Sequence, residues 1–116
     1  MQSGYDRAKQ LLQKGGITAL WCMNDRMASG AYGAARELGL EIGKDISIAG
    51  FDNHELSRSL YPKLTTLELP LYTIGYCAAQ ALVEELTKTG EEKGDNQPMK
   101  CKGRMIIRDS VCDLTK

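Results

Sequence analysis

Two short stretches place an amide beside a carboxylate directly after an apolar run. Asn24-Asp25 follows Ile17 to Met23, and Asp52-Asn53 follows Ile46 to Gly50 through Phe51. An Asn side chain donates and accepts hydrogen bonds, whereas an ionised Asp only accepts, so Asn24 and Asp52 together suit neighbouring hydroxyls of a polyol or sugar. The same residues serve local structure equally well. Asn24 or Asp25 could accept the free N–H groups of a helix start, and Asp52-Asn53 could form an Asx-type turn. Spacing leaves both readings open.

Other chemistries have less to work with. His54 is the single histidine and no G-x-S-x-G elbow is present, so a Ser/His/Asp nucleophile would have to recruit a residue from a polar loop. Gly30, Gly33 and Gly39 do not form a phosphate-cradling G-x-G-x-x-G after a strand. The four cysteines, Cys22, Cys77, Cys101 and Cys112, are far apart with no C-x-x-C pair, which argues against structural zinc. Hence no catalytic residue, metal or cofactor is expected. Cys22 in an apolar run and Cys77 on a helical pattern are expected to be buried reduced thiols, as suits a cytoplasmic protein. Glu84-Glu85 and Glu91-Glu92 suit a solvated face. Lys100, Lys102, Arg104 and Arg108 suit one wet face of a strand, balanced by acids rather than forming a nucleic-acid groove.

The elements that would position Asn24 and Asp52 follow from hydrophobic spacing. Tyr5, Ala8, Leu11 and Leu12 make a helical stripe over Ser3–Lys14 that stops at Gly15-Gly16. Ile17 to Met23 is almost continuously apolar, the pattern of a parallel strand covered on both faces, with Trp21 in the core first and a pocket wall second. Met27, Ala31, Ala34, Ala35 and Leu38 predict a second helix ending at Gly39, and Ile46 to Gly50 a second strand, completing a β-α-β unit. Phe51 to Lys63 reads as a loop with one helical turn at most, and Leu64 to Leu69 as a strand. Pro70 suits a helix start, with Ile74, Ala78, Ala81, Leu82 and Leu86 carrying the stripe to Gly90. Glu91 to Gln97 reads as a surface loop, Met99 to Arg108 as a strand and Asp109 to Lys116 as a tail. The fold class is α/β, and ligands of such sheets bind beyond the carboxyl ends of the strands, where Asn24 and Asp52 fall.

Composition agrees with one ordinary domain. The 116 residues are 42% hydrophobic and 26% charged, with 15 basic against 15 acidic side chains, so disorder and non-specific nucleic-acid binding by this chain are not expected. The longest apolar run, Ile17 to Met23, is far shorter than the ~20 residues of a membrane helix, and the polar first residues carry no export signal.

Five motifs in order, Asn24-Asp25-Arg26-Met27-Ala28-Ser29-Gly30-Ala31, Glu37-Leu38-Gly39-Leu40, Lys44 to Asn53, Pro62-Lys63-Leu64-Thr65-Thr66 and Arg108-Asp109-Ser110-Val111, resemble the C-terminal part of the lactose/galactose repressor (LacI/GalR) family. The resemblance covers nearly the whole chain. It implies part of a two-lobed, periplasmic-binding-protein-like fold, with parallel sheets flanked by helices and closing on a small effector. Residues 1–68 and 109–116 would belong mainly to the C-terminal lobe, and 69–108 would cross to the N-terminal lobe. Asn24 and Asp52 would hydrogen-bond the effector, commonly a sugar and in some members a purine, with Phe51 flanking it and Asp25 serving mainly as a helix cap. Tyr5, Tyr32, Leu56 and Leu60 would be homodimer contacts, with ordinary core packing as the alternative.

The family's helix-turn-helix and first lobe have no counterpart here, so operator DNA would be reached only through a missing N-terminal domain. The implied function is the effector-sensing, dimerising part of a cytoplasmic transcriptional regulator, not an enzyme. A sugar-binding protein of a transport system is the alternative, disfavoured by four scattered cysteines in an oxidising compartment.

Overall fold

A computed structural model describes residues 1–88 and 98–115, so the expected surface loop Glu91 to Gln97 and the end of the preceding helix lie outside the described residues. The chain forms two compact units, residues 1–68 with 104–116, and residues 69–103.

In the first unit α1 (Gln2–Lys14) leads into β1 (Ala19–Trp21), α2 (Asp25–Glu37), β2 (Ser47–Ala49), the single turn α3 (Leu56–Ser59) and β3 (Thr66–Glu68). After the second unit the chain returns as a strand, Arg104–Ile106, numbered β4 below. β1 and β2 are parallel, pairing Ala19 with Ser47 and Trp21 with Ala49, and the ladder extends from Ala49 to Thr65 by one parallel bridge. β3 and β4 pair antiparallel, Thr66 with Ile106 and Glu68 with Arg104. The strand expected from Met99 is therefore confined to Arg104–Ile106. β4 lies in the first unit, where β3 is its partner.

Small side chains explain how the helices meet. Ala28, Ala31, Ala34 and Ala35 of α2 are fully buried, and Tyr32 of α2, Ala8 of α1, Ile42, Ile46, Ile48 of β2 and Leu64 complete the core. A Cβ on Gly30 would lie 2.6 Å from the backbone nitrogen of Tyr5, and one on Gly4 would lie 2.8 Å from Met27 Cα, so the two helices approach backbone to backbone. α2 ends where Leu40 N–H donates to Ala35 O and Gly39 N–H to Arg36 O, the paired bonds of a Schellman stop. Leu11, expected on the buried stripe of α1, is exposed, and Tyr5 and Leu12 are half-buried against the core.

Two expectations about burial are corrected. β1 is not covered on both faces: Leu20 and Cys22 pack on the core while Ala19, Trp21 and Met23 face outward, Trp21 71% exposed. A continuous apolar run cannot distinguish a strand with two covered faces from one with a single covered face in the described unit. Tyr32 is not a surface contact. It is 1% exposed, its hydroxyl donates to Pro62 O at 2.8 Å, and burial pushes that hydroxyl up to about 12.

The second unit holds α4 (Leu71–Thr87), none of whose residues is buried. Tyr72 and Tyr76 stack along it one turn apart, with ring centroids 6.4 Å from each other. Among the described residues no helix is long and apolar enough to cross a membrane.

Candidate effector-binding site

Parallel pairing brings the carboxyl ends of β1 and β2 to one edge. Cys22 N–H donates to Ala49 O at 2.8 Å, and one step further Asp25 N–H donates to Phe51 O at 3.0 Å, which ties the two following loops together. The residues selected from sequence on either side of that bond, Asn24 on one loop and Phe51 and Asp52 on the other, are therefore neighbours.

Asn24 is the cap of α2. Its backbone is extended (φ −155°, ψ 170°) and its Oδ1 accepts from Met27 N–H at 2.9 Å. The cap expected of Asp25 is corrected accordingly: Asp25 is already helical, so its carboxylate is turned away from the helix start. It is 1% exposed and accepts from the Thr66 hydroxyl at 2.6 Å and from His54 N–H at 2.7 Å. One buried carboxylate thus joins the start of α2, the loop after β2 and the strand β3. Gly50 leaves room for it, since a Cβ there would overlap Asp25 Oδ1 and lie 2.9 Å from Leu64 Cδ2.

Capping occupies only the oxygen of the Asn24 amide. Among the described residues its NH2 group donates to nothing, and the exposed Asp52 carboxylate accepts from nothing. One loop therefore carries an amide with unused donors and the other an exposed carboxylate with an unused acceptor, with Phe51 half-buried next to it in the chain. A hydroxyl can accept from such an amide and donate to such a carboxylate. Burial pushes the Cys22 thiol beneath the same edge up to about 11, with Asp25 adding to the shift, so this thiol is a poor nucleophile.

The sequence reading missed Asn53 and Arg108. Asn53 Nδ2 donates to Glu68 Oε2 at 2.6 Å, while its Oδ1 accepts from Arg108 Nη2 at 3.0 Å and from the Ser57 hydroxyl at 3.3 Å. Arg108 also donates through Nη1 to Leu64 O at 2.7 Å and Ser57 Oγ at 3.0 Å. It is half-buried rather than part of a wet strand face. The Asn53 amide holds the Glu68 carboxyl below its usual range, and Arg104, 3.0 Å away, acts in the same direction. Ser110 is fully buried, donating to Ile48 O at 2.6 Å and accepting from Thr65 N–H at 2.8 Å. The signal for both was the Arg108-Asp109-Ser110 motif, whose residues lie 43 to 62 positions from most of their partners.

The remaining residues selected as dimer contacts sit elsewhere. Tyr5 is half-buried on α1, where its hydroxyl donates to Glu37 and Lys9 bridges to the same carboxylate at 2.8 Å. Leu56 and Leu60 are half-buried, Leu60 against the core. His54 lies exposed, its ring Nδ1 accepting from Leu56 N–H at 3.2 Å. An open concavity of about 500 Å³ in the second unit, between Cys77, Gln80, Glu84 and Met99, includes none of the loop residues. Among the described residues no cluster of three His, Cys, Asp or Glu is arranged to hold a metal ion.

A family model for the periplasmic binding protein-like domain matches residues 1–111, so the chain belongs to that family. Its relatives narrow the assignment. The HTH-type transcriptional repressor PurR of Proteus mirabilis is 40% identical over 113 residues, covering 97% of this chain and 32% of the repressor. The HTH-type transcriptional regulator RegA of Clostridium acetobutylicum is 38% identical over 89 residues, 77% of this chain and 27% of that protein.

Among solved structures, a LacI family regulator from Enterococcus faecium with bound ribose superimposes with TM-score 0.79 at 29% identity, over 97% of this chain and 41% of that one. The lac repressor dimer bound to operator and the anti-inducer ONPF gives 0.82 at 29% identity, over 97% and 38%. The chain is thus a portion of a LacI/GalR-type effector domain, and it spans about a third of the length of the curated relatives it matches.

Proposed function

We propose that the chain is the effector-sensing and dimerising part of a LacI/GalR-type transcriptional regulator of the cytoplasm, not an enzyme, with Asn24, Phe51 and Asp52 on the effector. The observation that supports this reading is the Asp25 N–H to Phe51 O bond, which ties the loop carrying the Asn24 amide to the loop carrying the Asp52 carboxylate at the strand ends. A small polyhydroxyl ligand, a sugar or a similar molecule, satisfies both. Closure of two lobes on that ligand would couple its binding to operator affinity through the difference in its affinity for the open and closed states. Residues 1–68 and 104–116 would contribute to one lobe and 69–103 would pass toward the other. Tyr5, Leu56 and Leu60 would support a homodimer, and operator DNA would be contacted through a helix-turn-helix domain outside this chain. Support comes from the regulators it resembles, one solved with ribose and one as a dimer on its operator.

The test uses the complete regulator. Asp52→Ala is expected to weaken binding of the active member of a panel of D-ribose, D-galactose and hypoxanthine about thirtyfold in isothermal titration calorimetry. The sedimentation velocity of the dimer should not change. Unaltered affinity would return Asp52 to a turn residue.

A further inference from the structure

Asp52 and Asn53 are the only non-glycine residues with positive φ among those described, at 106° and 51°, and they are consecutive. Such backbone is unfavourable for a residue that carries a Cβ and persists where surrounding contacts over-determine it. Here those contacts converge on Asn53, while the Asp52 side chain is held by none. Asn53 is gripped by Glu68 from the end of β3, by Arg108 from beyond β4 and by Ser57 from α3. Its own N–H donates to the Thr66 hydroxyl at 3.2 Å, and Asp52 N–H donates to Leu67 O at 2.9 Å. Arg108 is in turn fixed on Leu64 O and Ser57 Oγ, and Glu68 on Arg104. The direction of the free carboxylate is therefore set by its neighbour.

We infer that Asn53, Glu68 and Arg108 form a clamp that fixes the Asp52 carboxylate in its binding direction, and that they are positioning residues for effector recognition without touching the effector. This rests on the assignment of Asp52 to the effector site. Pre-organisation of this kind strengthens binding by removing the ordering cost that a loose loop would impose when the ligand arrives.

Asn53→Gly separates positioning from stability. Glycine adopts the left-handed backbone at φ 51° without strain, which offsets part of the lost bonding, yet it removes all three side-chain contacts. In the complete regulator, amide hydrogen exchange at Asp52, Asn53 and His54 should accelerate about tenfold with Ile48 unchanged, and the melting temperature should hold within about 3 °C. Affinity for the panel member that binds should fall about tenfold. Glu68→Gln keeps an oxygen that accepts from Asn53 and should retain affinity, whereas Glu68→Ala should lose it.

Unchanged loop exchange in Asn53→Gly overturns the clamp. Faster exchange with unchanged affinity overturns its role in recognition. If Asp52→Ala also leaves affinity unchanged, the effector-site assignment itself fails; if Asp52→Ala loses affinity while Asn53→Gly keeps it, only the clamp does.

Discussion

Asp25→Ala is expected to lower the stability of the protein by about 4 kcal/mol, seen as a shift of the urea unfolding midpoint with an unchanged slope. Asp25 is 1% exposed and accepts from the Thr66 hydroxyl and from His54 N–H, so alanine strands two donors at a buried position. Each stranded donor costs about 1–3 kcal/mol, and loss of negative charge at the start of α2 adds about 0.5 kcal/mol. Asp25→Asn should lie between the two. Its oxygen still accepts from Thr66, but its NH2 then faces the His54 N–H, donor against donor. A fully stable alanine variant would show that this carboxylate does not tie the loops.

How far the sequence foretold the architecture depended on the range of the interaction that made each element. α1, α2 and α4 are set by spacing along a few turns, and β1-α2-β2 by apolar runs between glycine and polar breaks, so they were legible. β4 was not delimited well, because its bounds depend on pairing with β3 far earlier in the chain, Ile106 opposite Thr66. Trp21 was misplaced for a related reason: the apolar run is local, but which of its faces is covered is decided by other elements.

The site divides along the same line. Asn24 was readable as a cap because an Asn before a helical stripe accepts from the helix start through its oxygen, as it does here from Met27 N–H. The Asp25 carboxylate was misassigned because the cap needs a residue outside the helix, and one residue of register moved it inside. Asn53 looked like a turn residue, but its side-chain partners Glu68 and Arg108 lie 15 and 55 positions away. No local pattern encodes that convergence. Tyr32 was a dimer candidate through the resemblance, with core packing as the alternative, and its partner Pro62, 30 residues on, shows why it is core.

Gly30→Val is expected to be the second most damaging change, about 3 kcal/mol, and it acts on the seam between α1 and α2 rather than on the loops after β1 and β2. Even a single Cβ at Gly30 would overlap Met1 O and sit 2.6 Å from Tyr5 N and 3.1 Å from Gly4 C. These are backbone atoms, so no rotamer change makes room, and α1 must shift bodily. The opposing residue Gly4 cannot compensate, because its own approach to the Met27 backbone is equally tight. Such a shift would also pull Tyr5 and Lys9 from Glu37, although those exposed contacts add little. Amide exchange should therefore rise across Tyr5 to Leu12 and much less at Ile48, and limited proteolysis should cut between Lys14 and Thr18. Gly33, where a Cβ would sit an ordinary 3.5 Å from the Tyr5 ring, provides the control: Gly33→Ala should be neutral or stabilising, since the same helix gains propensity without meeting backbone. Equal losses at Gly30 and Gly33 would mean that helix propensity, not the close approach of α1, governs this face.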